Sequence, residues 1–85
     1  MNAERILALL PAFWRTARLQ ARVRETAGEE LRLAQERYRS GLATSVEVTD
    51  AQTSLSEAER AEIAAIYDYH QSLAALEALV GNSLR

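Results

Sequence analysis

At 85 residues the chain has room for one small domain. So short a chain can bury only a thin core, which leaves an isolated monomer marginally stable unless it packs against a partner. The sequence has no cysteine, which excludes disulfides, thiolate metal sites and a cysteine nucleophile, and its net charge of −2 is too small to indicate nucleic-acid binding. Ala, Leu, Glu and Arg dominate, with one Pro and three Gly, a composition typical of helices.

The charges lie in different halves of the chain. Residues 1–43 carry eight Arg against five Glu, which gives +3, and residues 44–85 carry two Arg against seven acidic residues, which gives −5. Two complementary helices that attract each other are a better interpretation than a basic nucleic-acid surface, because Arg is interleaved with Glu.

The first segment begins with an apolar run at residues 6–10. The run is too short to span a membrane and lacks the small-residue cleavage site of a secretory signal, so we expect it to pack within a helix. Pro11 follows it directly. Either the helix proper begins at Pro11, which suits a first turn, or the helix is kinked there.

Apolar residues then recur at helical spacing along the first segment. At about 100° per residue they occupy one face, which the polar residues Gln20 and Arg24 interrupt. The members of this stripe are Ile6, Leu9, Phe13, Ala17, Ala27, Leu31, Ala34 and Tyr38.

A helix stop and a helix start follow within a few residues. Gly41 can adopt the left-handed conformation that closes a helix without a Cβ penalty. Thr44 and Glu47 have the spacing of a capping box, in which each side chain bonds the amide of the other residue. The predicted elements are a first helix over about residues 4–39, a turn over 40–44 that is tight from Gly41 to Ala43, and a second helix over about 45–80.

The second segment has a cleaner stripe, which only Glu62 interrupts and which Gly81 is expected to stop. Its members are Val48, Ala51, Leu55, Ala58, Ala65, Tyr69, Leu73, Leu76 and Val80. Three large apolar residues, Ile63, Ile66 and Tyr67, lie outside this stripe. They indicate a helix with neighbours on two sides, as in a bundle or a ring of helices.

Folding back at the turn sets the register between the two stripes. Residues that face each other should then have position numbers with a constant sum, and pairs such as Tyr38 with Val48 and Ile6 with Val80 do. The same register places Arg24 opposite Glu62. We predict an ion pair between them, with outward snorkelling of both side chains as the alternative.

The sequence offers little for catalysis. It contains no phosphate-binding glycine loop, no nucleophile elbow and no zinc-binding helix motif, so we predict no catalytic residue, metal or cofactor. His70 is the only histidine. Carboxylate-bridged metal bundles use a Glu three residues before the His, and here that position is Tyr67. Glu47 and Asp50 are explained by the positive end of a helix dipole, although a ring of such carboxylates would select cations at a pore.

The sequence around the turn resembles the TolC-type outer-membrane efflux proteins, specifically their second periplasmic helical hairpin. The resemblance extends from about residue 27 to residue 81. It is carried by Arg37-Tyr38-x-x-Gly41-Leu42-Ala43, then Val48-x-Asp50-Ala51-Gln52, Leu55 and Ala58, and further on by Tyr69, Leu73, Leu76 and Gly81.

The resemblance implies a trimer whose hairpins form an α-helical tunnel across the periplasm, below an outer-membrane barrel. Through a periplasmic adaptor protein the tunnel would connect to an inner-membrane pump. Carried over by position, Ser40, Gly41 and Leu42 would form the adaptor-docking tip. Tyr38, Glu47 and Asp50 would form the entrance gate and its cation-selective constriction. Some relatives have a gate-locking Arg in this loop, at the position of Ala43.

We therefore expect an all-α antiparallel hairpin that corresponds to one C-terminal hairpin of an efflux channel subunit. It would lack the signal peptide and barrel strands of a full member, and its role would be passive conduction and adaptor docking in the periplasm and outer membrane. One alternative is a free-standing coiled-coil interaction module that dimerises. Another is a carboxylate- or His-based bundle enzyme, which the low number of ligands argues against.

Overall fold

A computed structural model describes the backbone of residues 3–83 and the side chains of residues 3–81. Over this range the chain forms two helices, α1 (Ala3–Arg39) and α2 (Ser45–Ser83), which pack along their length into a rod of 66 × 14 × 14 Å. The predicted all-α helical hairpin with a tight turn is confirmed. Residues 1, 2, 84 and 85 of the predicted domain lie outside the described residues.

Two helix boundaries suggested by the sequence, a start at Pro11 and a stop at Gly81, are absent. Pro11 lies inside α1, which is assigned as helix on both sides of it. Proline removes one hydrogen bond to the carbonyl of Leu7, and Leu7 is exposed, so water can reach that side of the helix. The prediction that Gly81 stops α2 is wrong, because α2 continues to Ser83. Gly41 is the one residue with positive φ in the described chain, so Gly81 keeps a helical backbone at a cost of about 1 kcal/mol relative to Ala.

The contact between the helices follows a strict seven-residue repeat. Every position of this repeat is buried or half-buried except Tyr38, which is 51% exposed beside the turn. We call these positions the seam. In α1 they are residues 6, 13, 20, 27 and 34 with 10, 17, 24, 31 and 38; in α2 they are 48, 55, 62, 69 and 76 with 51, 58, 65, 72 and 79.

The seven-residue repeat corrects part of the predicted stripes. Leu9 and Val80 were expected in the core but are 43% and 46% exposed, whereas Leu10 and Leu79 are half-buried in their place. A stripe drawn at 3.6 residues per turn drifts about 20° per heptad from a repeat of 3.5, and the error is largest far from the turn. The predicted pairing of Ile6 with Val80 is therefore wrong. Ile6 lies near Leu79 instead, since Ile6 and Leu79 line the same groove.

The core inside this seam is thin. Its buried side chains are Ile6, Ala17, Ala27, Ala58 and Ala65. Four of these five are Ala, which lets the two backbones approach closely but removes little apolar area from water. The hairpin thus resembles a two-helix coiled coil rather than a globular domain.

Candidate functional site

The closed end of the rod, which we call the tip (residues 38–47), begins with a helix C-cap. Gly41 has φ of 77°, the left-handed conformation that the sequence predicts. The amide of Leu42 donates to the carbonyl of Arg37 at 2.8 Å, and the amide of Gly41 donates to that of Tyr38 at 3.1 Å. This pair of bonds is the Schellman motif, which satisfies carbonyl groups that a helix end leaves unpaired.

Two side chains complete this C-cap. The Arg37 guanidinium donates to the Leu42 carbonyl at 3.2 Å, across the turn. The Ser40 hydroxyl donates to the Glu36 carbonyl at 3.1 Å. Since the side chain of Ser40 is bonded to the end of α1, its orientation in the tip is fixed by the helix rather than left to solvent.

The first turn of α2 contains the predicted capping box. The Thr44 amide donates to the Glu47 carboxylate at 3.1 Å, and the Glu47 amide donates to the Thr44 hydroxyl at 3.2 Å. Each side chain therefore satisfies one of the donors that the start of a helix leaves unpaired. The carboxylate of Glu47 is occupied with its own helix in this structure.

Apolar side chains project from the tip into solvent. Leu42 is 70% exposed, Val46 is 64% exposed and Tyr38 is 51% exposed. The backbone beneath them is held by the caps at both helix ends. The tip thus presents a small apolar surface on a fixed framework, which suits contact with another protein.

The predicted gate residues lie at this end but do not converge into one site. Tyr38 is in the last turn of α1, and Glu47 and Asp50 are in the first two turns of α2. All three are exposed, and Glu47 is bonded to Thr44 rather than directed toward Asp50. A single hairpin therefore supplies separate acidic side chains, and a constriction requires several hairpins around an axis.

The middle of the rod contains the predicted ion pair. Arg24 Nε lies 2.6 Å from Glu62 Oε1, and the side chains are 38% and 18% exposed. Both residues occupy seam positions where an apolar residue would otherwise pack. The pair joins the two helices at the register predicted from the turn.

A second ionic cluster lies between this pair and the tip. Arg32 forms ion pairs with Glu29 at 3.1 Å and with Glu36 at 2.8 Å, all within α1. The hydrogen bond that Arg32 donates to Glu29, with attraction from both carboxylates, raises the pKa of Arg32 above its ordinary value. Because these pairs are exposed, water screens their attraction and they contribute little to stability.

Much apolar surface remains outside the seam. Ile63, Ile66 and Tyr67, which we call the α2 flank, are 67%, 41% and 62% exposed, as expected of residues outside the predicted stripe. The chain exposes 6391 Å² in total, whereas a compact protein of 9.5 kDa exposes about 5,000 Å². The excess area leaves surface for neighbours alongside the rod.

Sequence reasoning missed two features of the surface. Val46 belongs to the apolar part of the tip, and its place outside the α2 stripe was the available signal. At the open end of the rod, the Trp14 ring lies 5.8 Å from the Tyr69 ring, and the Arg18 guanidinium lies 6.0 Å from the Trp14 ring. The Trp14–Tyr69 contact joins the two helices and could not be predicted from either stripe alone, whereas the Arg18–Trp14 contact lies within α1.

The described side chains form neither a metal site nor a membrane span. No three His, Asp or Glu side chains among them come close enough to hold a metal ion. Neither α1 nor α2 contains a segment that is both long and apolar enough to cross a membrane. His70 is exposed, and its ring contacts that of Tyr69 at 5.6 Å.

Comparison with known proteins gives one match. The profile of a family described as outer membrane efflux protein matches residues 5–82, which is nearly the whole chain. Comparison with curated proteins gives no significant match, and comparison with solved structures gives none either.

Proposed function

Because the chain belongs to the outer membrane efflux protein family, we propose that it forms one helical hairpin in the wall of a periplasmic export tunnel. The tunnel would be a trimer in its full form, located in the periplasm and outer membrane, and it would conduct passively rather than catalyse a reaction. The observation that carries this proposal is the combination of a capped tip with exposed apolar residues at the end of a 66 Å rod.

The shape and surface of the rod support a role in a wall. Its long axis is more than four times its width, and it has a thin core and an apolar α2 flank. A wall of side-by-side hairpins would cover the α2 flank, whereas a monomer would leave it in water. The contact area lost from water would add stability that the Ala-rich core does not provide.

The tip would dock a periplasmic adaptor protein, which would connect the tunnel to an inner-membrane pump. Ser40, Gly41 and Leu42 would make this contact. Support comes from the C-cap, which fixes the backbone of these residues, and from Leu42, the most exposed of the large apolar residues. A fixed apolar anchor binds a partner with little loss of conformational entropy.

The entrance of the tunnel would be formed by Tyr38, Glu47 and Asp50. Symmetric repetition would bring these carboxylates into a ring, which attracts cations. The capping role of Glu47 and a gating role are compatible, because a capping carboxylate keeps its negative charge at the surface.

A cross-linking experiment tests adaptor docking. The chain has no cysteine, so Leu42→Cys introduces a single reactive thiol at the tip, and Ile63→Cys introduces a matched control on the shaft. Each would carry a photoactivatable cross-linker and be mixed with a purified periplasmic adaptor from a tripartite export system. We expect cross-links from position 42 in excess over position 63. Equal yields from both positions, or none from position 42, would contradict docking through the tip.

A further inference from the structure

The outer face of α1 near the open end of the rod carries three arginines around a shallow groove. Arg15, Arg18 and Arg22 are spaced by three and four residues, so they share one face of the helix. With Trp14 and Leu19 they line a groove of about 370 Å³. We call these five residues the basic patch.

The positive charge of the basic patch is not balanced within the hairpin. In the sequence no acidic residue lies between Glu4 and Glu25, so the interleaving of Arg with Glu holds only for the later part of α1. Within the described residues, no carboxylate forms an ion pair with any of the three patch guanidiniums. Arg24 and Arg32, by contrast, each have a Glu partner.

Such an arrangement is unfavourable for the isolated helix. Like charges three or four residues apart on a helix repel each other. A bound anion would relieve this repulsion, and guanidinium groups match the geometry of phosphate oxygens particularly well. The patch therefore has the chemistry of a site for phosphate groups.

Apolar residues are mixed with these charges on the same face. Trp14 is 50% exposed with the Arg18 guanidinium beside its ring, and Leu7 and Leu19 are 56% and 58% exposed. A protein interface commonly has an apolar core inside a polar rim. Here Trp14 and Leu19 lie beside the arginines on one face instead. Trp side chains favour the level of the lipid headgroups, and clustered Arg is attracted to anionic headgroups.

We propose that the basic patch binds the surface of a membrane that contains anionic phospholipids. Arg15, Arg18 and Arg22 contact headgroup phosphates, while Trp14 and Leu19 enter the interfacial layer. This site is separate from the tip, because Arg22 precedes the end of α1 at Arg39 by 17 residues, about 25 Å along a helix. It goes beyond the proposed role in a tunnel wall, and either proposal can fail without the other.

Trp14 is the only tryptophan, so its fluorescence reports directly on the patch. The 85-residue chain would be titrated with vesicles of phosphatidylcholine alone and with vesicles of phosphatidylcholine mixed with phosphatidylglycerol. We expect a blue shift of the emission with the mixed vesicles only, reversed by added salt. No shift with the mixed vesicles, or an equal shift with both kinds, would overturn the proposal.

Matched variants separate the patch from general charge. Arg15→Gln/Arg18→Gln and Arg39→Gln/Arg60→Gln each remove two exposed positive charges. We expect the first variant to bind mixed vesicles about thirtyfold more weakly, since each Arg near an anionic surface is worth about 1 kcal/mol. The second should bind nearly as wild type, and equal weakening in both would overturn the proposal.

Two further arms cover the remaining outcomes. Arg15→Lys/Arg18→Lys keeps both positive charges and should retain binding to mixed vesicles. Far-UV circular dichroism measures the helicity of the variants. If the Gln variant loses helicity, binding by the Lys variant still tests the patch. Inorganic phosphate or an acidic helical peptide, added without vesicles, should not shift the Trp14 emission. A shift with phosphate would indicate a free-anion site, and a shift with the peptide would indicate a protein-docking surface. Either result would overturn the proposal that the patch binds a membrane.

Discussion

The tip and the shaft of this hairpin are stabilised in different ways. At the tip, backbone groups find partners within five residues along the chain, as Leu42 does with Arg37 and Thr44 does with Glu47. In the shaft, the central contact joins Arg24 and Glu62, which are 38 residues apart, and the buried side chains are mostly Ala. Local chemistry thus determines the turn, whereas the shaft depends on long-range packing between α1 and α2.

The largest expected effect tests the seam of the shaft. Leu55→Asp places a charge at a half-buried seam position and removes apolar contact, so we expect the free energy of unfolding to fall by about 3 kcal/mol. Urea denaturation followed by circular dichroism measures this loss. Ser56→Asp, at an exposed position next to Leu55 and outside both the seam and the α2 flank, is the control and should change stability by about 0.5 kcal/mol or less. Equal losses from the two variants would mean that the seam is assigned wrongly.

An intermediate effect is expected at the ion pair within the seam. Glu62→Ala leaves Arg24 half-buried without its partner, and we expect a loss of about 1.5 kcal/mol. The double variant Arg24→Leu/Glu62→Leu replaces the pair with apolar packing and should be at least as stable as wild type. A double variant less stable than wild type would contradict this expectation and show that the pair contributes net stability.

The smallest effect is expected at the tip. Thr44→Ala removes one half of the capping box and should cost about 1 kcal/mol. Thr49→Ala is the matched control, because the Thr49 hydroxyl only bonds back to the Ser45 carbonyl within α2. Thermal unfolding of both variants provides the comparison. If Thr49→Ala destabilises the protein as much as Thr44→Ala does, the capping box has no specific role in stabilising the turn.

The same difference explains how far the sequence predicted the fold. The turn was predicted correctly because Gly41, Thr44 and Glu47 each act on groups a few residues away. The Arg24–Glu62 pair was also predicted, since the turn fixes the register of everything that follows it. Leu9 and Val80 were placed in the core wrongly, because a seven-residue repeat departs from a 3.6-residue stripe most strongly far from the turn.

The candidate site was predictable only in part. The match over residues 5–82 confirms the family, whereas the assignment of the turn as the functional end stays a prediction from the resemblance. The basic patch was not predicted, because the sequence alone does not show which acidic side chains lie near these arginines in the folded hairpin. Arg24 and Arg22 are two residues apart, yet α2 provides a carboxylate only for Arg24.

The central claim is that this hairpin is a wall element, closed along its seam but open to neighbours on its flank. Sedimentation equilibrium over a range of concentrations tests it directly, with wild type and Ile63→Asp/Tyr67→Asp compared and helicity recorded in parallel. The account predicts that wild type associates as its concentration rises, and that the variant stays helical but monomeric. A wild-type chain that remains a monomer with full helicity at every concentration would contradict the need for neighbours.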